Sequence, residues 1–234
     1  NSIDILFMKY ANNRGSLIEA ELKAKNLFNT ILKRKLIQPG LSESDLSLLI
    51  HKLAFEMYGI KEYWHKRIVR FGSNTLLPYN ENPENLRLKL DDILFLDFGP
   101  IFNNWEADLG RTFVLGTDPI KLKLSRDVEK SWKMAKSYFD SNLTLTASSL
   151  YHYVVNLAKK KSWEFGNEHC GHLIGHFPHA KISGEKIKSY IHPDNHTQLR
   201  EKDENGFYRD WILEIHFVNY KLKIGGFYEQ LLTI

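Results

Sequence analysis

The sequence predicts an α+β fold made of two helix–helix–sheet halves that share one sheet, with a cleft where they meet. Two observations predict it. Apolar residues recur at helical spacing in two separate stretches, and each stretch is followed by β-branched and aromatic runs broken by turn residues. The second half also restates the first. Leu41, Ser42, Ser44, Leu46, Ile50 and Ala54 correspond, 104 residues on, to Leu145, Thr146, Ser148, Leu150, Val154 and Ala158. A helix cap with a leucine face can produce such a match by chance, so the order of elements carries as much of the argument as the identities. The halves are set at about residues 14–117 and 118–234 of a single domain, with 1–13 as an N-terminal extension.

From Leu17 to Leu36 the residues Leu17, Ala20, Ala24, Leu27, Phe28, Ile31 and Leu32 mark one face of a helix, and Pro39-Gly40 ends it. A second helix starts at Ser42. Ser42-Glu43-Ser44-Asp45 resembles a capping box, Leu46, Leu49, Ile50, Leu53, Ala54 and Met57 give the buried face, and Gly59 closes the element. From Tyr63 to Leu115 the pattern changes to strands and turns, punctuated by Gly72, Asn74, Pro78, Asn80, Asn82 and Pro83. After Asp118-Pro119 the helical period returns through Leu124, Val128, Trp132, Ala135 and Phe139, then again from Thr146 to Lys161.

With 234 residues, 43% of them hydrophobic and 26% charged, the chain can bury a full core. No apolar run approaches the roughly 18 residues of a membrane span, so no membrane association is expected. Cys170 is the only cysteine, which excludes an intrachain disulfide and fits a reducing compartment; a cytoplasmic location is the expectation. The net charge of +4 is modest. Lys33-Arg34-Lys35 and Lys159-Lys160-Lys161 fall near helix C-termini, where cations offset the helix dipole, so no nucleic-acid partner is expected.

The informative residues are acids inside strands. Ile93–Pro100 is an apolar strand carrying Asp97, and Glu106–Val114 returns with Asp108 after a turn around Phe102-Asn103-Asn104. A hairpin centred between residues 102 and 103 would set Asp97 directly opposite Asp108. Two facing carboxylates are destabilising unless a cation, a shared proton or a metal compensates them. A shifted register puts both at the solvent face, and on spacing alone that is the better reading. Near the C-terminus the arrangement recurs, however, with Glu214 in Asp210–Val218 and Glu229 in Phe227–Ile234, joined by a turn over Lys221–Gly226. Two such hairpins are harder to dismiss than one.

His169, His172, His176 and His179 are spaced by three and four residues, but Gly171, Gly175 and Pro178 oppose a helix, and the segment lacks the glutamate of a helical zinc-protease motif. Extended, it sends His172 and His176 to one face and His169 and His179 mostly to the other. Beside four strand-borne carboxylates, at least one of these histidines reads as a metal ligand.

In order and spacing, Asp97 in Asp97-Phe98-Gly99, Asp108 before Arg111-Thr112-Phe113, His172 in Gly171–Gly175, Glu214 and Glu229 resemble the metal ligands of the pita-bread metallopeptidases, the family of methionine aminopeptidase, aminopeptidase P and prolidase. The resemblance spans roughly residues 14–234 and covers the catalytic domain alone. It implies a curved antiparallel sheet and two divalent ions, manganese, cobalt, iron or zinc. Asp97 is implied to bind one ion and His172 with Glu214 the other, with Asp108 and Glu229 bridging. It implies hydrolysis of the N-terminal peptide bond of a peptide substrate. Glu214 would accept a proton from the attacking water, and His179 would hold the scissile carbonyl or the tetrahedral intermediate. A homodimer is compatible with the family.

Three positions depart from it. Pro78 stands where a substrate-facing histidine is expected, Phe227 where prolidase and aminopeptidase P carry an arginine, and Glu168 where they carry a histidine. These point to altered substrate choice. His65, in Trp64-His65-Lys66, can still contribute a contact to the site, although an exposed strand histidine is the first expectation. The rival readings are a family member that has lost activity and serves as a binding module, and a metal hydrolase acting on a non-peptide amide.

Overall fold

Two helical pairs cover one face of an antiparallel sheet, and the acids line the other. The structure is a computed structural model that describes residues 2–182 and 184–233, with side chains from residue 13 onward. The first half runs α1 (Ser2–Lys33), α2 (Glu43–Tyr58), β1 (Ile68–Phe71), β2 (Ile93–Phe98), β3 (Ile101–Phe102), β4 (Trp105–Glu106) and β5 (Leu109–Val114). The second runs α3 (Pro119–Ser141), α4 (Ala147–Lys160), β6 (Glu164–Phe165), β7 (Gly171–Ile174), β8 (Asp210–Asn219) and β9 (Ile224–Leu231). The first helix begins at Ser2, so residues 2–13 continue into the element read from Leu17. No helix among the described residues is long and apolar enough to cross a membrane.

The main sheet has the order β1-β2-β5-β9-β8-β6, with β7 also paired to β8, and every pairing is antiparallel. Strand alternation sorts its residues. In β2, Leu94, Leu96 and Phe98 pack with Leu27, Ile31, Leu46 and Ile50 of α1 and α2 in one core cluster, while Phe95 joins Ile68 and Phe227 in a separate cluster. In β8, Leu213, Ile215 and Phe217 pack against Val128, Trp132, Leu150 and Val154 of α3 and α4. Each half thus has its own helix-facing core, and the shared sheet turns its other face to the site.

The duplicated motif does the same work twice. Ser42 caps α2 and Thr146 caps α4, each accepting a hydrogen bond from the backbone N–H three residues on. Each cap also ties back to a later segment: Glu43 N–H donates to the Leu86 carbonyl and Leu88 N–H to that of Leu41, while Ala147 N–H donates to Thr197 and Leu199 N–H to Leu145. Only Ser42 has the reciprocal bond of a capping box, from its own N–H to Asp45 Oδ2 at 3.1 Å. Substituting Ser42→Ala is expected to cost about 1 kcal/mol in chemical denaturation, and more than Thr146→Ala, because besides the acceptor for Asp45 N–H it removes the charge-assisted bond from Ser42 Oγ–H to Asp45 Oδ2 at 2.6 Å.

The first hairpin differs from expectation in register and the second in the bounds of its turn. The turn of the first is Asn103-Asn104, with φ of 49° and 66°, the left-handed pair of a two-residue turn that asparagine tolerates. Its centre therefore lies one residue later than expected, and Asp97 faces Gly110 instead of Asp108. Extending that register places Asp108 against Gly99, so each acid faces a glycine. In the second hairpin Asn219 pairs with Ile224, so the turn is earlier than Lys221–Gly226, and Gly225 and Gly226 belong to β9.

Candidate metal centre

Register alone assembles most of the site. Asp97 of β2 pairs with Gly110 of β5, Gly110 with Glu229 of β9, and Glu229 with Glu214 of β8, so three carboxylates share one row and one face. Gly110 leaves the space between them: a Cβ there would collide with the Phe227 ring and meet Glu229 Cβ at 3.0 Å. His172 of β7 pairs with Ile212, two residues from Glu214, and so projects to the same face. Asp108 enters from the interruption between β4 and β5.

Two groups of three ligand atoms result, each with all its atoms within 4.8 Å of one another: His65, Asp97 and Asp108, and Asp108, His172 and Glu229. Asp108 belongs to both. Its Oδ1 lies 3.1 Å from His65 Nε2 and its Oδ2 3.1 Å from His172 Nε2. His65 Nε2 is 3.5 Å from Asp97 Oδ1, and His172 Nε2 is 3.7 Å from Glu229 Oε1. Glu214 stands beside these groups, its Oε2 accepting from Asn167 Nδ2 at 3.3 Å and its Oε1 lying 2.9 Å from His169 Nδ1, off the hydrogen-bonding direction. His179 does not touch the acids of the row. It is held by Glu106 through both its backbone N–H and Nδ1, the latter at 2.8 Å. Its ring lies 5.7 Å from Trp64, whose indole also abuts the rings of His65 and His172.

The four carboxylates are buried, with Asp108 1% and Glu229 2% exposed. Their titration shows how poorly protein alone satisfies them. Burial pushes Asp97 up to about 7, with the charges of Asp108 and Glu214 adding to the effect against His65. Glu229 is likewise raised, by burial first and then by Asp108 and Asp97. Burial also works to raise Asp108, but His65 and His172 outweigh it and hold that carboxyl down at about 2. Burial opposes the charged form of both imidazoles; Asp108 and Asp97 nevertheless lift His65 to about 9, and Asp108 and Glu229 lift His172.

Asp97 Oδ1, Glu214 Oε1 and Glu229 Oε2 are buried without a hydrogen-bond partner. Each buried ion left unsatisfied costs several kcal/mol. The donor set, carboxylate oxygens with imidazole nitrogens, suits manganese, iron, cobalt or zinc. The residues present therefore fit divalent ions.

The structure brings Asp97, Asp108, His172, Glu214 and Glu229 to one face and joins His179 to them through Trp64. Several expectations are corrected. His65 is a buried member of the cluster, with a side chain 6% exposed, because the segment before β1 folds against Gly99. His169 reaches Glu214 and so joins His172 at the site, while His176 packs on Trp105; the expected pairing of His172 with His176 fails because β7 covers only Gly171–Ile174. Phe227 is buried against Phe95 at 5.1 Å, and with Ile68, Leu77, Pro78 and Tyr79 it lines a cavity beside Asp97 and Glu214. Glu168 is exposed. Sequence reasoning gave no role to Trp64, Glu106 or Asn167.

Residues 16–204 match the sequence model of metallopeptidase family M24. A Mycoplasma pneumoniae protein named "Putative Xaa-Pro aminopeptidase" is 31% identical over 101 residues, 42% of this chain and 28% of that protein. The match thus spans well under half of that relative's length. Among solved structures, a dipeptidase from Pyrococcus horikoshii superposes with a TM-score of 0.74 at 23% identity, over 96% of this chain and 59% of that one. A methionine aminopeptidase from Thermotoga maritima does so with a TM-score of 0.67 at 16% identity, over 92% of each chain. These likenesses establish the pita-bread fold, and the family match, which covers most of the sequence, shows that the chain belongs to metallopeptidase family M24.

Proposed function

We propose that this protein is a dinuclear metal-dependent aminopeptidase or dipeptidase that hydrolyses the N-terminal peptide bond of peptides. The observation that carries the reading is the row of buried acids on one sheet face, joined by Asp108 and His172 and left with orphaned oxygens. Asp97, Asp108, His172, Glu214 and Glu229 hold two divalent ions, of which manganese, cobalt, iron and zinc all suit the donors. When bound, such ions supply a water of lowered pKa and a Lewis-acid contact for the peptide carbonyl.

The chain's own groups do the rest. Glu214, its Oε2 steadied by Asn167, takes the proton of the attacking water. Glu106 holds Nδ1 of His179 and so fixes the ring, leaving Nε2 to donate to the carbonyl oxygen as it gains charge when the ring carries both protons. Beside Asp97 and Glu214, Ile68, Phe95, Phe227 and Pro78 offer a substrate an apolar wall, since Phe227 stands where an arginine would otherwise offer a cation.

Protein purified without chelator is expected to carry about two divalent ions per chain. It should release free N-terminal residues from a panel of Met-Xaa and Xaa-Pro peptides with manganese or cobalt added, and lose that activity on chelation. A preparation that binds no metal refutes the ligand assignment, and one that binds metal without turnover on any peptide refutes the peptidase assignment.

A further inference from the structure

We propose that His65 is a sixth protein ligand, giving the Asp97 side of the centre an imidazole of its own. The inference rests on the dinuclear reading above and adds to it a residue from outside the ligand motifs.

Its basis is a likeness between His65 and His172 about Asp108. Each presents Nε2 to a different oxygen of that carboxylate, at the same 3.1 Å. Each also has Nδ1 tied to the carbonyl of the next residue in the chain, His65 to Lys66 at 2.7 Å and His172 to Leu173 at 2.9 Å. A carbonyl accepts only, so Nδ1 carries the proton in both rings, and Nε2 is the atom left for a metal. A backbone carbonyl on the distal nitrogen is how proteins orient ligating histidines. Whatever argues for His172 as a ligand on this geometry argues equally for His65.

The distances agree. Atoms each about 2.0–2.2 Å from one ion are separated by roughly 2.8–3.6 Å over the range from octahedral to tetrahedral angles. His65 Nε2 lies 3.1 Å from Asp108 Oδ1 and 3.5 Å from Asp97 Oδ1. The surroundings hold the ring in place. Trp64 N–H donates to the Gly99 carbonyl, the Trp64 indole N–H donates to Ala107 at 3.0 Å beside Asp108, and the indole edge packs on the His65 ring with centroids 4.5 Å apart. A Cβ on Gly99 would collide with both rings, so the glycine that follows Asp97-Phe98 is what admits them.

X-ray absorption at the cobalt edge of the dicobalt wild-type protein counts imidazoles without any substitution. About one imidazole per cobalt is expected if both histidines ligate, and about one per two cobalts if His172 alone does. In parallel, cobalt titration of wild type, His65→Ala and the bulkier His65→Gln, followed by visible absorption, should show one site weakened by at least about tenfold in both variants, with the spectrum of that site changed. Variants that bind two cobalts with wild-type affinities and spectra, or an imidazole count of one per two metals in wild type, overturn the proposal while the dinuclear centre stands. Wild type that binds no cobalt overturns both.

Discussion

Asp108→Asn is expected to remove both metal ions and essentially all turnover. Asp108 is shared by the two ligand groups, with one oxygen directed to each imidazole, whereas Asp97 and Glu229 each belong to one of them. Losing it leaves each group with two members, and asparagine offers a single neutral acceptor in place of two anionic ones. The fall in kcat/KM should exceed the roughly 10–100-fold typical of residues that only support a ligand. His172→Ala, by contrast, should release one ion and retain the other. Asparagine matches aspartate in shape, so the fold is expected to survive, which circular dichroism of the metal-free variant checks. An Asp108→Asn protein that keeps two ions, or keeps turnover within tenfold of wild type, contradicts the bridging role.

How much of this could be read from the sequence depended on how local the signal was. The caps at Ser42 and Thr146 and the leucine faces behind them are written within a few residues, and α2, α3 and α4 fall where the period places them, whereas α1 begins well before Leu17. The acids stood out because Asp97, Glu214 and Glu229 interrupt apolar strands. Their partners did not, because register depends on the turn: Asn103-Asn104 moves the first hairpin by one residue, so Gly110 faces Asp97. His65 was misjudged for the same kind of reason. Nothing near Trp64-His65-Lys66 shows that the segment lies against Gly99, a contact between distant parts of the chain that only the folded sheet creates. Glu106 had a legible strand context but no legible partner, since His179 reaches it from beyond β7.

Metal-free and metal-loaded protein are expected to respond to pH in opposite directions. In the metal-free site Asp97 is raised from 3.8 to about 7 and His65 from 6.5 to about 9, with Glu229 and His172 raised as well. Each of these groups holds its proton more tightly folded than unfolded. Its contribution to stability is therefore fully present below the unfolded value and lost as pH rises through the folded one. Asp108 acts in the other sense, but its stabilisation is lost only as pH falls from about 3.8 towards 2. Between pH 5 and 9, then, these groups make the metal-free protein less stable as pH rises, because the cluster gains negative charge that the protein alone does not neutralise. Bound metal reverses the sign. Ligands must shed their protons to coordinate, so affinity grows with pH, and free metal at 100 times its Kd adds about 2.7 kcal/mol. Thermal melting from pH 5 to 9 with chelator and with saturating manganese should thus give curves that separate as pH rises. Parallel curves would mean that the buried acids are not where the metal binds.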